Sequence, residues 1–132
     1  MKQEVHASSA DVRLDAEDWV TAFFETADKI DADATGEWFA PNIDMRFANQ
    51  PPASTKKEAR EGLRQFMLHI SGMVHEPMHR VVNGNDAVQM ATVIYTMPDG
   101  SIKKYPVASY LRRNDQNLLD RLWIFVDLST LF

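Results

Sequence analysis

The chain contains no cysteine among its 132 residues, which excludes disulfides, thiolate metal sites and cysteine nucleophiles. Its five glycines, at 36, 62, 72, 84 and 100, never fall into the G-x-G-x-x-G or P-loop spacing that cradles phosphates. No block of lysine or arginine stands out and the formal net charge is −5, so no nucleic-acid partner is expected. No apolar run approaches membrane-spanning length. The opening stretch MKQEVHASSADVR has no apolar core of the kind a signal peptide needs. No membrane association is therefore expected, and a cytoplasmic setting is the natural one.

What remains is ordinary for a globular domain: 45% hydrophobic and 25% charged residues. One motif stands out. Residues 75–79, HEPMH, match the H-E-x-x-H pattern of zinc proteases. That pattern needs a helix, where residues four apart share a face. Pro77 removes a backbone donor and biases Glu76 toward extended geometry, and Gly72 lies just upstream. On an extended chain His75 and His79 share a face but sit about 13 Å apart, too far for one zinc. After Glu76 there is no further glutamate, and after His79 no histidine, to act as a third ligand. No metal is expected at this motif, and no other cofactor is implied.

The order of elements follows from periodicity and turn chemistry. Residues 1–13 are polar and read as a loose N-terminal segment, leaving 14–132 as the domain. Asp15 can cap a helix with Glu17 and Asp18 in its first turn, and Trp19, Val20, Phe23, Phe24, Ala27 and Ile30 recur at helical spacing. A short helix is expected over about 33–39, ended by Pro41. NIDMRFAN then alternates as a half-buried strand, with Ile43, Met45 and Phe47 on one side. Thr55 and Glu58 mark the start of a helix over about 56–71. Four strand-like runs follow, at roughly 77–83, 87–97, 102–112 and 119–128, separated by NGND, PDG and NDQN. Three helices packed on a strongly curved, mainly antiparallel sheet make an α+β fold.

This order, with several local segments, resembles the nuclear transport factor 2-like superfamily, the α+β cone, and within it the SnoaL-like, polyketide cyclase-like branch. ADATGEWFAPNIDMRF resembles that branch's second helix running into its first strand. RFANQPP resembles its strand-end Asn-x-Pro segment, and ISGMVHEP the exit of its third helix. TVIYTMPDGS and IFVDLSTLF look like its central hairpin and last strand. The resemblance covers about residues 15–132. It implies the cone fold, shared by ketosteroid isomerase, scytalone dehydratase, limonene epoxide hydrolase, polyketide cyclases and non-catalytic binders. The chain departs from two of these. Phe47 stands where ketosteroid isomerase keeps its general-base aspartate, and PVASYLRR lacks the Arg-x-Asp pair of the epoxide hydrolases.

The candidate site residues are weighed on their own chemistry. Asp127, in LWIFVDL, shares a strand face with Trp123 and Phe125. Desolvation there would raise its pKa and suit it to acid/base work; the alternative is a solvated strand-end aspartate. His75 and His79, if on one strand face, would both look into the cone and could orient a carbonyl or move a proton. Asn49 could donate at the pocket rim or simply serve a turn. Arg46 either meets a ligand or pairs with Asp44 in solvent. Trp38, Phe66, Tyr95, Tyr110 and Trp123 are candidate pocket walls, though aromatics at such spacing also build cores. The implied activity is a cofactor-independent cyclase or isomerase acting on a small apolar carbonyl compound, polyketide- or steroid-like. The alternative is a non-catalytic binding module. A last strand apolar on both faces also predicts a homodimer through the outer face of the sheet.

Overall fold

The computed structural model describes residues 14–132, so the expected loose segment 1–13 lies outside the described residues. Helix α1 (Ala16–Ala27) begins where the sequence signals it: the Asp15 carboxylate accepts from the Asp18 amide at 2.9 Å. Its stripe Trp19, Val20, Phe23, Phe24 and Ala27 is buried. The helix ends earlier than its apolar period suggests. Ile30 has left-handed backbone (φ 49), a strained conformation for a β-branched residue, and turns the chain into α2 (Ala32–Gly36).

Strand β1 (Phe39–Phe47) starts earlier than expected and carries Pro41 inside it. The strand lies at the sheet edge, where a missing amide donor is tolerated, and its pairing register shifts between Phe39 and Asp44. Helix α3 (Lys56–Met67) has a capping box: Thr55 Oγ1 accepts from the Glu58 amide, and the Glu58 carboxylate accepts from the Ser54 amide. It stops short of the expected residue 71 because β2 (Gly72–Asn83) begins at once, five residues before the predicted strand start. The segment read as a helix exit, ISGMVHEP, is mostly strand.

Strands β3 (Asp86–Thr96), β4 (Ile102–Arg113) and β5 (Leu119–Val126) complete one five-stranded sheet in the order β1-β5-β4-β3-β2. Only β1 and β5 pair in parallel; the other three pairings are antiparallel. The β2–β3 hairpin turns at Asn83-Gly84-Asn85-Asp86, with Gly84 at φ 62, the left-handed conformation such tight hairpins demand.

The inner face of the sheet carries Ala87, Ala91, Val93, Tyr95, Val107, Leu111 and Leu122, all buried, and the helices cover it. Fully buried side chains such as Leu111 and Leu122 contribute roughly 1.5–3 kcal/mol each. Among the described residues no helix covers the outer face. Among the described residues no helix is long and apolar enough to cross a membrane.

Candidate active site

The inner face polarity depends on a single irregularity in β2. His75 pairs with Val93 and Pro77 with Ala91, but His79 pairs with Met90, so one residue is extra between Pro77 and His79. This bulge reverses the side-chain alternation downstream. His75 points inward with only 11% of its side chain exposed. His79 is exposed and shares the outer face with Met90. The expectation that both histidines face one way is therefore corrected: Pro77 and Met78 swell the strand and turn His79 over. The zinc-protease geometry is ruled out by the same fact. Residues 75–79 are strand, and the two imidazoles lie on opposite faces. Among the described residues no group of three His, Asp or Glu is placed to hold a metal.

His75 has a partner that sequence reasoning missed. Asp28, the C-cap of α1, places one carboxylate oxygen 2.6 Å from His75 Nδ1 and accepts the His75 backbone amide with the other at 3.0 Å. The carboxylate fixes the ring through Nδ1 and turns Nε2 away from Asp28. Phe24 lies against the imidazole at 4.8 Å between ring centres. Nothing in the stretch TADKID marks Asp28 as more than a helix-end residue; the pairing spans 47 positions.

The imidazole lines an inner cavity of about 50 Å³. Its walls are mostly apolar, with Phe66, Met73, Val107 and Ile124 among them, and its polar lining includes Tyr95 and Ser109. Burial, reinforced by Tyr105 and by the Asp28 carboxylate, pushes the Tyr95 phenol above its ordinary pKa, so it stays a hydrogen-bond donor. Beyond it lies a second, outer groove of about 720 Å³ between the end of β1, α3 and the C-terminal segment. Asn49 lines that groove with His69, Leu128 and Phe132. Phe47, Leu63 and Phe66 line both spaces and separate them.

The other anticipated residues lie elsewhere. Asp127 follows the end of β5, is exposed, and lines neither space. Its carboxylate accepts from the Ser129 amide at 3.0 Å, and these bonds to Ser129 hold it below the usual carboxylate range. The raised-pKa aspartate expected at this position is thus replaced by a turn-capping one, because the strand ends at Val126 and releases residue 127 to solvent. Trp38 packs edge-on against Trp19 and Phe23 at 5.7 Å, in the core beneath α1. Arg46, Tyr110 and Trp123 belong to the outer face. Arg46 bonds Asp44 and stacks over Trp123 at 4.7 Å, and Tyr110 meets Trp123 at 5.5 Å. Of the anticipated wall residues, Phe66 and Tyr95 reach the inner cavity.

Solved structures share this architecture. A candidate SnoaL-like polyketide cyclase from Shewanella denitrificans superposes with a TM-score of 0.77 at 11% identity, over 90% of this chain and 95% of its own. A protein of ketosteroid isomerase-like fold from Catenulispora acidiphila, in complex with trimethylamine, superposes at 0.74 and 15% identity, covering 85% and 87%. A limonene epoxide hydrolase-like enzyme from Mycobacterium tuberculosis reaches 0.71 at 12% identity, covering 86% and 84%. These identities speak for the fold alone. No curated protein matches the sequence. The SnoaL-like domain model, however, matches residues 20–120. With the α+β architecture described above, that match makes the chain a member of the SnoaL-like domain family, of nuclear transport factor 2-like fold.

Proposed function

We propose that the protein is a cofactor-independent acid/base catalyst, of cyclase or isomerase type, that moves a proton next to the carbonyl of a small apolar compound. The observation that carries this reading is the Asp28–His75 pair at the wall of an apolar cavity. His75 Nε2 takes the proton from the carbon beside the carbonyl. The C–H electron pair moves into the enolate, whose oxygen accepts from the Tyr95 phenol. The proton returns to a different carbon in an isomerisation, or the enolate carbon attacks a second carbonyl in a cyclisation. Asp28 is the positioning residue: it fixes the ring and stabilises the imidazolium that forms. Asp127 has no part in this scheme.

The test uses 2-acetylnaphthalene in deuterium oxide, with loss of its methyl proton signal followed by NMR. Exchange accelerated by the native protein and lost in His75→Ala supports the reading; equal exchange in both overturns it. The second reading, a non-catalytic binder of apolar molecules, is favoured by the solvent-exposed position of Asp127. Binding of the ketone without exchange would select it.

The protein's expected partner is a second copy of itself. The uncovered outer face carries Val74, Met78, Val81, Met90 and Phe125, each between 37% and 64% exposed. His79, Met90, Ala108 and Phe125 are register partners across four strands, so the apolar surface is continuous. Charges of both signs border it, among them Asp44, Arg46, Arg112 and Asp120. A two-fold interface needs such self-complementarity, and an apolar band of this kind is the surface that association buries.

A further inference from the structure

The reacting pair opens into a chamber far smaller than the groove outside it. By volume the outer groove falls in the range of drug-sized ligand sites. The inner one, at about 50 Å³, equals the space of roughly two water molecules. The partition between them is aromatic. Phe47, at the end of β1, and Phe66, on α3, meet edge to face with centres 5.0 Å apart and planes at 77°. Phe66 also meets Tyr95 at 5.6 Å, so the partition touches the residue we assign as the hydrogen-bond donor.

We infer that Phe47 and Phe66 form a selective gate, and that the protein takes ligands with two unlike ends. A broad, flat apolar body occupies the outer groove. A slender carbonyl-bearing end of about two or three heavy atoms reaches His75 when the two touching rings part. The ligand class is therefore aryl or polycyclic methyl ketones and aldehydes, and not ketones whose carbonyl is flanked by a branched group. The carbonyl rests on the proposed function above; the two-chamber selection rests on the volumes and the ring geometry alone.

Natural reporters lie in each space. His69 lines the outer groove, His75 the inner chamber, and His79 stands on the outer sheet face as a control. The experiment follows their imidazole resonances by NMR while the protein is titrated with 2-acetylnaphthalene or with tert-butyl 2-naphthyl ketone. In the native protein the acetyl compound shifts His69 and His75, whereas the tert-butyl ketone shifts His69 only. In Phe66→Ala the tert-butyl ketone also shifts His75 and binds about tenfold more tightly, the scale of a few methyl groups admitted to an apolar pocket. His79 stays unmoved throughout. Phe66→Leu is read in the same way if the alanine variant does not fold. The gate is overturned if the tert-butyl ketone reaches His75 in the native protein, if it fails to do so in the folded variant, or if neither ketone shifts His69. If the shifts follow the expected pattern but the acetyl group takes up no deuterium, the catalytic reading fails and the gate stands. If deuterium enters while the tert-butyl ketone reaches His75 unhindered, the gate fails and the catalytic reading stands.

Discussion

At the residue scale, the proposed function turns on which of several carboxylates and imidazoles is fixed in an apolar wall. Asp28 and His75 satisfy this, since each is held by the other and by the elements they cap or extend. His75→Ala is expected to lower ketone proton exchange by about 10²–10⁴-fold, the usual contribution of a positioned base. Asp28→Asn is expected to lower it by about 10–100-fold, with an unchanged far-ultraviolet circular dichroism spectrum, because the amide orients the ring without the charge. Asp127→Asn should exchange at the native rate. That aspartate has a different consequence. Bonds to Ser129 lower its pKa, and Asp99 is lowered likewise by its bonds to Ser101. A carboxylate whose pKa falls on folding adds stability above its unfolded value and loses it as the pH drops through the folded one. Melting temperature should therefore fall below about pH 4, and less steeply in Asp99→Asn and Asp127→Asn.

At the scale of elements, helix α1 is the piece that joins sheet to site. Arg80 on β2 donates to Glu17 and Thr21 of α1 and to the buried Gln89 of β3. Its removal strands the Gln89 carbonyl and unties the helix that carries Asp28. Arg80→Ala should destabilise the fold by about 1–3 kcal/mol in urea unfolding, and lower exchange activity at temperatures where the fold persists. The cap of α3 is simpler. Thr55→Ala removes the acceptor for the Glu58 amide and should cost about 0.5–2 kcal/mol with no effect on ketone exchange.

At the scale of the whole molecule, the proposed reading assigns one face of the sheet to the ligand and the other to a second copy of the chain. The inner face is roofed by helices and keeps the two chambers. The outer face displays a band from His79 to Phe125 that no element covers among the described residues. Light scattering should give twice 15.1 kDa for the native protein. Phe125→Glu, which sets a charge in the middle of the band, should shift that mass toward a monomer while leaving His75 and its cavity intact.

Much of this was legible in the chain itself. Caps at Asp15 and Thr55, the helical stripe from Trp19, the alternation around Met45 and the Asn-Gly turn at 83–84 are local signals, set by backbone and side-chain chemistry within a few residues. The boundaries that slipped were those a neighbouring strand decides: Pro41 sits in β1 because that strand is the last of the sheet, where a missing donor is tolerated, and β2 absorbs residues 72–76 because β3 is there to pair them. The candidate site was less legible. The sequence offers His75, Phe66 and Tyr95 as candidates behind Asp127; the structure brings the first three to the inner cavity and leaves Asp127 exposed. Whether a carboxylate is desolvated depends on what covers it, and only the end of β5 at Val126 decided that. Likewise one bulge at Met78 decided that His75 faces in and His79 out, and only the folding of α1 onto β2 brought Asp28 to His75 across 47 residues. Local propensity is written residue by residue; desolvation and side-chain encounter are properties of packed surfaces that no single stretch contains.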